Sequence, residues 1–179
     1  RTVDREGDFE HIPILDVGPY LAGVDGAAAE LAANIRFIQE TIGFYVIVNH
    51  GVSPSVIDAA YNELERFFAL PADEKMRLKF AEQSVGYIAP KHTVYVTSTL
   101  NENTKRDLNE TFALAYDRPE THPYLQRGIR FVGPNPWPEN LPGFREAIVD
   151  FQRAILGLAL RMVPLYALAL DQPIDGFDS

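Results

Sequence analysis

A chain of 179 residues that is 46% hydrophobic and 23% charged has the make-up of one globular domain, or of a large piece of a bigger one. A formal charge of −9 argues against a nucleic-acid surface, which needs clustered Lys and Arg, and disfavours an anionic membrane. The lack of cysteine excludes a disulfide scaffold and thiolate metal sites, and fits a reducing cytoplasm.

Residues 1–11 read as an N-terminal extension. Arg1-Thr2-Val3-Asp4-Arg5-Glu6 is charged and lacks the apolar stretch of a secretory signal, so the expected location is cytoplasmic. Arg1 in place of Met points to a chain that is trimmed or starts within a longer protein. Ile12-Pro13-Ile14-Leu15-Asp16-Val17 is predicted to be an edge strand, where a proline near the start is tolerated, and Gly18-Pro19 turns it. A helix is predicted over 26–42, with Leu31, Ile35, Ile38 and Ile42 on one face and Gly43 as its C-terminal stop. Phe44-Tyr45-Val46-Ile47-Val48 is continuously apolar, the pattern of a strand covered on both faces.

Asn49-His50-Gly51 breaks that strand, and Ser53-Pro54 suits a helix cap and first turn. The helix that follows should turn Val56, Ile57, Ala60, Leu64, Phe67 and Phe68 inward and stop at Pro71. Ala72 to Lys79 reads as a short charged helix, with Lys75, Arg77 and Lys79 on a solvated face. Val85 to Ile88 and Val94 to Thr97 read as short strands or extended loop. Asn109 to Tyr116 alternates, with Glu110, Phe112, Leu114 and Tyr116 on one side of a strand. From Asp117 to Gly143 six prolines predict irregular but stiff chain.

The last element is a long helix in which Phe144, Ile148, Phe151, Ile155, Leu158, Met162, Leu165 and Leu168 recur every three or four residues. Pro164 should kink it by removing a backbone donor and crowding the Leu160 carbonyl. From Ala154 to Leu170 the helix is apolar nearly all round, with Arg161 the only charge. Such a helix is buried on every side or spans a membrane. A membrane span is disfavoured by the short run, the central Arg161 and Pro164. Burial needs other structure to wrap the helix, yet only Asp171 to Ser179 follow, so the core is expected to be completed from outside this sequence.

No catalytic constellation is visible. None of His11, His50, His92 and His122 begins His-x-Asp or His-x-Glu, and no pair lies at i and i+4, so a two-His, one-carboxylate iron site would need scattered loops. No serine lies in Gly-x-Ser-x-Gly, and Gly-x-Gly-x-x-Gly and phosphate loops are absent. Asp107 and Glu110 are a carboxylate pair available for acid–base work, but charged residues near a strand start are usually solvated. The residues alone describe an α+β segment with an unfinished core.

The order of motifs nevertheless resembles the isopenicillin N synthase-like dioxygenases. Ile12-Pro13-Ile14-Leu15-Asp16 is similar to that family's opening strand, and Gly43 to Gly51 to its Gly-Phe-Phe-x-x-x-Asn-His-Gly strand and turn. Phe67-Phe68-Ala69-Leu70-Pro71 with Glu74-Lys75 resembles its Phe-Phe-x-Leu-Pro-x-x-Glu-Lys junction, and Gly86-Tyr87 its Gly-Tyr pair. Asp107 to Phe112 resembles Asp-x-x-Glu-x-Phe, and Asn135-Pro136-Trp137-Pro138 the Asn-x-Trp-Pro loop before the long helix.

The resemblance implies an α+β fold in which helices and a few strands pack on a double-stranded β-helix (jelly-roll) barrel, most of which is missing from this chain. It divides the chain into a dioxygenase N-terminal domain (12–143), a long helix packing on that barrel (144–170) and the start of a linker (171–179). It implies Fe(II) as metal, 2-oxoglutarate as co-substrate, and oxidation of a small organic substrate by O2 through hydroxylation, desaturation or ring closure. The family's iron ligands belong to the second half, so the resemblance assigns no metal or catalytic residue here, and His50 is a turn residue. Tyr87, Tyr95, Asn109 and Phe112 are its candidates for the substrate pocket. The alternative is a stand-alone, non-catalytic binding module that keeps only the N-terminal fold.

Overall fold

The structure is a computed structural model that describes residues 11–80, 85–92, 106–127, 129 and 131–177. The chain folds as two compact units, one of residues 1–54 with 153–179 and the other of residues 55–152.

The first unit begins with β1 (Ile14–Asp16), followed by α1 (Gly18–Leu21), α2 (Ala27–Thr41) and β2 (Val46–Val48). β1 and β2 pair in parallel, Ile14 against Val46 and Asp16 against Val48, with the helices as the crossover that parallel strands require. α2 follows the predicted stripe: Leu31, Ile35 and Ile38 are buried and Ile42 half-buried. It stops where φ turns positive at Gly43, whose N–H joins that of Ile42 on the Ile38 carbonyl. The core joins Leu15, Val17, Leu31, Ile35 and Ile38 to Met162, Leu165 and Ala169 of the last helix.

The expectation that the 44–48 strand is covered on both faces is not met. Ile47 packs against the core, but Phe44, Val46 and Val48 are 54%, 47% and 37% exposed. Among the described residues the sheet has only two strands, and the helices lie on one side of it.

The second unit holds α3 (Pro54–Phe68, which starts at the unit boundary), α4 (Ala72–Met76), β3 (Gly86–Ile88), β4 (Thr111–Ala113) and α5 (Pro123–Gln126). The six residues expected to face inward on α3 are buried or half-buried. β3 and β4 are antiparallel, with Tyr87 opposite Phe112. Gly86 is forced by its surroundings: φ is +119°, and a Cβ there would stand 2.7 Å from the carbonyl oxygens of Leu78 and Lys79. The predicted 94–97 strand lies outside the described residues.

The predicted 109–116 strand is real only over Thr111–Ala113. Beyond it a side chain replaces the partner strand: Asn135 Oδ1 accepts from the Ala115 N–H at 2.8 Å and Nδ2 donates to the Ala115 carbonyl at 2.9 Å. Tyr116 is 40% exposed rather than inward. The Pro-rich 117–143 segment is irregular apart from α5 in its described residues, as expected.

Helix α6 (Phe144–Ala169) contributes its first nine residues to the second unit and the rest to the first, and carries Pro164 inside it. Its predicted stripe holds at Phe144, Ile148, Met162 and Leu165, but Ile155 is 40% exposed. Leu156 and Leu160, 40% and 62% exposed, also depart from burial on every side. Among the described residues no helix is long and apolar enough to cross a membrane. Arg161 is explained locally: its guanidinium donates to the Leu21 carbonyl at 3.0 Å, and Tyr20 Oη donates to the Arg161 carbonyl at 2.7 Å.

Candidate functional site

The most concentrated chemistry lies in the second unit, on an aromatic platform. Phe67, fully buried, stacks on Phe112 with ring centroids 4.2 Å apart and meets Tyr87 and Phe144 at 6.1 and 5.6 Å. Trp137 closes the cluster edge-on to Phe144 at 6.2 Å. α3, the β3–β4 pair and α6 therefore converge on one ring.

One carboxylate interrupts this platform. Glu110 Oε2 accepts from Lys75 Nζ at 2.8 Å and from the Tyr87 hydroxyl. Lys75 Nζ also donates to the Phe68 carbonyl at 2.9 Å and lies 5.4 Å from the Tyr87 ring centroid. Its residue is only 6% exposed, which corrects the sequence reading of Lys75 on a solvated helix face. The reason is the packing around α4, which takes most of the lysine out of solvent, so its ammonium is held by a carboxylate, a carbonyl and an aromatic face.

The hydrogen bond from Lys75, then that from Tyr87, holds the Glu110 carboxyl below the usual range against the opposing effect of burial. Burial first, and the charge-accepting Glu110 second, push the Tyr87 phenol up to about 12. The triad thus has a fixed protonation pattern near neutrality: an ionised carboxylate and a protonated phenol. It orients and anchors; nothing in its geometry presents a nucleophile.

Of the four residues proposed from sequence to line a substrate pocket, Tyr87 and Phe112 are brought together as cross-strand neighbours against Phe67. Tyr87 is 3% exposed and Phe112 half-buried, so both are committed largely to packing. Asn109 is exposed, one residue before Glu110 and apart from that pair. Tyr95 lies outside the described residues.

Sequence reading missed Lys75, Asn135 and Gln152. Gln152 Nε2 donates to the Ala115 carbonyl at 3.0 Å, beside Asn135. A signal did exist for Lys75: Glu110 alternates with Phe112 and Leu114 on one strand face, and a carboxylate on an apolar face demands a cation. Which lysine answers it is decided only by the fold.

In the first unit the Asn49-His50-Gly51 turn is built as a corner. Asp16 Oδ1 accepts from the Gly18 N–H at 2.9 Å, and hydrogen bonds from Asn49 and then Gly18 lower the Asp16 pKa. His50 Nδ1 accepts from the Val52 N–H at 3.1 Å, the structural role expected of it. His122 caps α5 through the Tyr124 N–H, while His11 and His92 are exposed. Among the described residues no group of three or more His, Asp or Glu could hold a metal ion. The described residues therefore do not fit an iron centre by themselves.

Comparison with known proteins places these features in a family. Residues 12–140 match the family described as the non-haem dioxygenase in morphine synthesis N-terminal domain. Kihadalactone A synthase of Citrus sinensis is 31% identical over 76% of this chain and 40% of its own length. The 2-oxoglutarate-Fe(II) type oxidoreductase hxnY of Emericella nidulans is also 31% identical, over 93% of this chain and 48% of its own length. The crystal structure of a 2OG-Fe(II) oxygenase family protein of Caulobacter crescentus superposes with a TM-score of 0.74 at 22% identity, over 93% of this chain and 51% of that one. At that identity the likeness shows the fold. The chain spans about half the length of the curated relatives it matches.

Proposed function

The chain belongs to the non-haem dioxygenase N-terminal domain family, and from that premise we propose that it is the N-terminal half of an Fe(II)- and 2-oxoglutarate-dependent dioxygenase acting with O2 on a small organic substrate. The observation that carries the reading is the family match over residues 12–140, supported by a relative described as a 2-oxoglutarate-Fe(II) type oxidoreductase. Bound iron and 2-oxoglutarate would supply the oxidising power for hydroxylation, desaturation or ring closure. Their ligands lie outside the described residues, and no step through the metal is assigned to this chain.

What these residues contribute is scaffold and approach. Residues 12–143 form the N-terminal domain, and 144–170 present a helix on which the jelly-roll half packs, in keeping with the exposed Leu156 and Leu160. Residues 171–179 begin the link to that half. Of the four candidates for substrate contact, Tyr87 and Phe112 lie on the β3–β4 pair and Asn109 just before β4, while Tyr95 is a candidate through the family resemblance alone. Asn109, being exposed, is the direct contact, while Tyr87 and Phe112 act from behind by fixing β4. The protein works in the cytoplasm.

The test is made on the complete natural polypeptide. An intact mass well above 20.1 kDa, with O2-dependent conversion of 2-oxoglutarate to succinate that requires added Fe(II), is the expected result. A mass equal to that of these 179 residues, with no iron bound at micromolar concentration, would overturn it in favour of a binding module.

A further inference from the structure

We propose that a cavity beside α4 in the second unit binds a small zwitterion, an α-amino acid with an apolar side chain, its carboxylate on Arg77 and its ammonium on Glu139. The walls come from the second unit alone, so the site stands whether or not the oxidation proposed above does.

Apolar side chains build the floor. Leu70 lies between α3 and α4, Leu78 just beyond α4, and Trp137 with Pro138 in the loop that leads into α6. Leu70, Leu78 and Trp137 are the half-buried flank of the core cluster around Phe67 and Phe144, so the floor is anchored in packed structure. Asn140 braces the walls: its Nδ2 donates to Glu74 Oε2 and ties the loop to α4. The cavity measures about 550 Å³. That lies within the range of small-molecule sites, which are mostly apolar, formed in advance and oriented by a few polar groups.

The rim carries opposite charges that do not meet. Arg77 and Glu139 both line the cavity and are exposed, yet neither side chain makes an ion pair or hydrogen bond among the described residues. Glu74 is the third charge there, and Asn140 already occupies one of its oxygens. One positive and one negative group are thus left without a partner.

That pairing decides the class of ligand. A lone anion on Arg77 would sit near two carboxylates, and a lone cation on Glu139 would share the cavity with a guanidinium. A zwitterion gives each group its opposite. The planar fork of Arg77 suits a carboxylate in two parallel hydrogen bonds, and the Glu139 carboxylate accepts from an ammonium. When both charges stand on one carbon, the remaining substituent is free to cover the apolar floor, and an apolar side chain gains most from doing so.

Ligand-observed NMR titration of the complete natural polypeptide tests the site with L-leucine as probe. Two analogues accompany it: 4-methylpentanoate, which lacks the ammonium, and 3-methylbutylamine, which lacks the carboxylate. The expected result is a dissociation constant of about 1 mM or tighter for leucine, a strength open to a ligand of so few atoms. Each analogue should bind at least tenfold more weakly. Arg77→Ala should weaken leucine at least tenfold without weakening 3-methylbutylamine, which has no carboxylate to lose. Glu139→Gln should weaken leucine and spare 4-methylpentanoate. Both side chains are exposed and unpartnered among the described residues, so neither change should lower the melting temperature. No binding of leucine up to about 10 mM would overturn the proposal. Equal binding of all three compounds would leave only an apolar hollow, and leucine binding untouched by Arg77→Ala would lie elsewhere; either result also overturns it.

Discussion

Glu110 is half-buried, and its charge is tolerated because Lys75 and Tyr87 donate to one of its oxygens. Its pKa is lowered on folding, so it contributes stability that is fully present above the ordinary carboxylate value of 4.5 and is lost as pH falls through the lowered folded value. We expect Glu110→Gln to cost about 2–3 kcal/mol at pH 7 in urea unfolding, because it strands the Lys75 ammonium in an apolar site. The same variant should show a flatter fall in stability below pH 4.5 than the parent protein. Adding Lys75→Met to it should recover most of the loss; an additive penalty would show that the pair is not coupled. Gly86 is a second residue with no substitute. Gly86→Ala should cost about 3 kcal/mol by the same measurement, since the new methyl meets two carbonyl oxygens at 2.7 Å and the backbone is held at φ +119°.

Elements in this chain end for reasons of different range. α2 ends at Gly43 by a local rule, and its stripe of Leu31, Ile35 and Ile38 is legible because a helix period writes itself into sequence. β4 ends at Ala113 by a distant one, because the amide of Asn135, twenty residues on, takes over the Ala115 backbone. Alternation through Leu114 and Tyr116 continues past that point, so the pattern overstates the strand. Asn135→Ala should raise amide exchange at Ala115 at least tenfold while leaving that of α3 unchanged, a loss of about 1–2 kcal/mol locally. Unchanged exchange at Ala115 would show that burial of its N–H, and not the Asn135 amide, protects it. Lys75 is illegible on the same ground: a 3.6-residue period says which residues share a helix face, not whether the face meets water or a carboxylate.

On the scale of the whole molecule the apolar surface is the dominant feature. Leu160 and Leu170 are 62% and 61% exposed, and Phe44, Val46 and Val48 are open to solvent along β2 and just before it. Contiguous exposed patches of this kind mark interaction sites. A polypeptide limited to these 179 residues is expected to bind a hydrophobic dye such as ANS and to grow in light scattering with concentration. The complete natural protein should do neither; a monodisperse, dye-silent 179-residue chain would contradict the reading.

Sequence by itself determined the order β1, α2, β2, α3, α4 and α6, the inward stripes of α2 and α3, the turn role of His50 and the family, since these depend on local periodicity and on motifs contiguous in the chain. It also contained the demand for a cation beside Glu110 and the nearly all-apolar make-up of the 154–170 stretch, with Arg161 its only charge. Only the tertiary structure decided that Lys75 answers that demand, that Asn135 ends β4, and which apolar faces are left open. Those outcomes depend on which surfaces meet across long sequence separations. Side-chain chemistry states what each group needs; only packing brings that partner within reach.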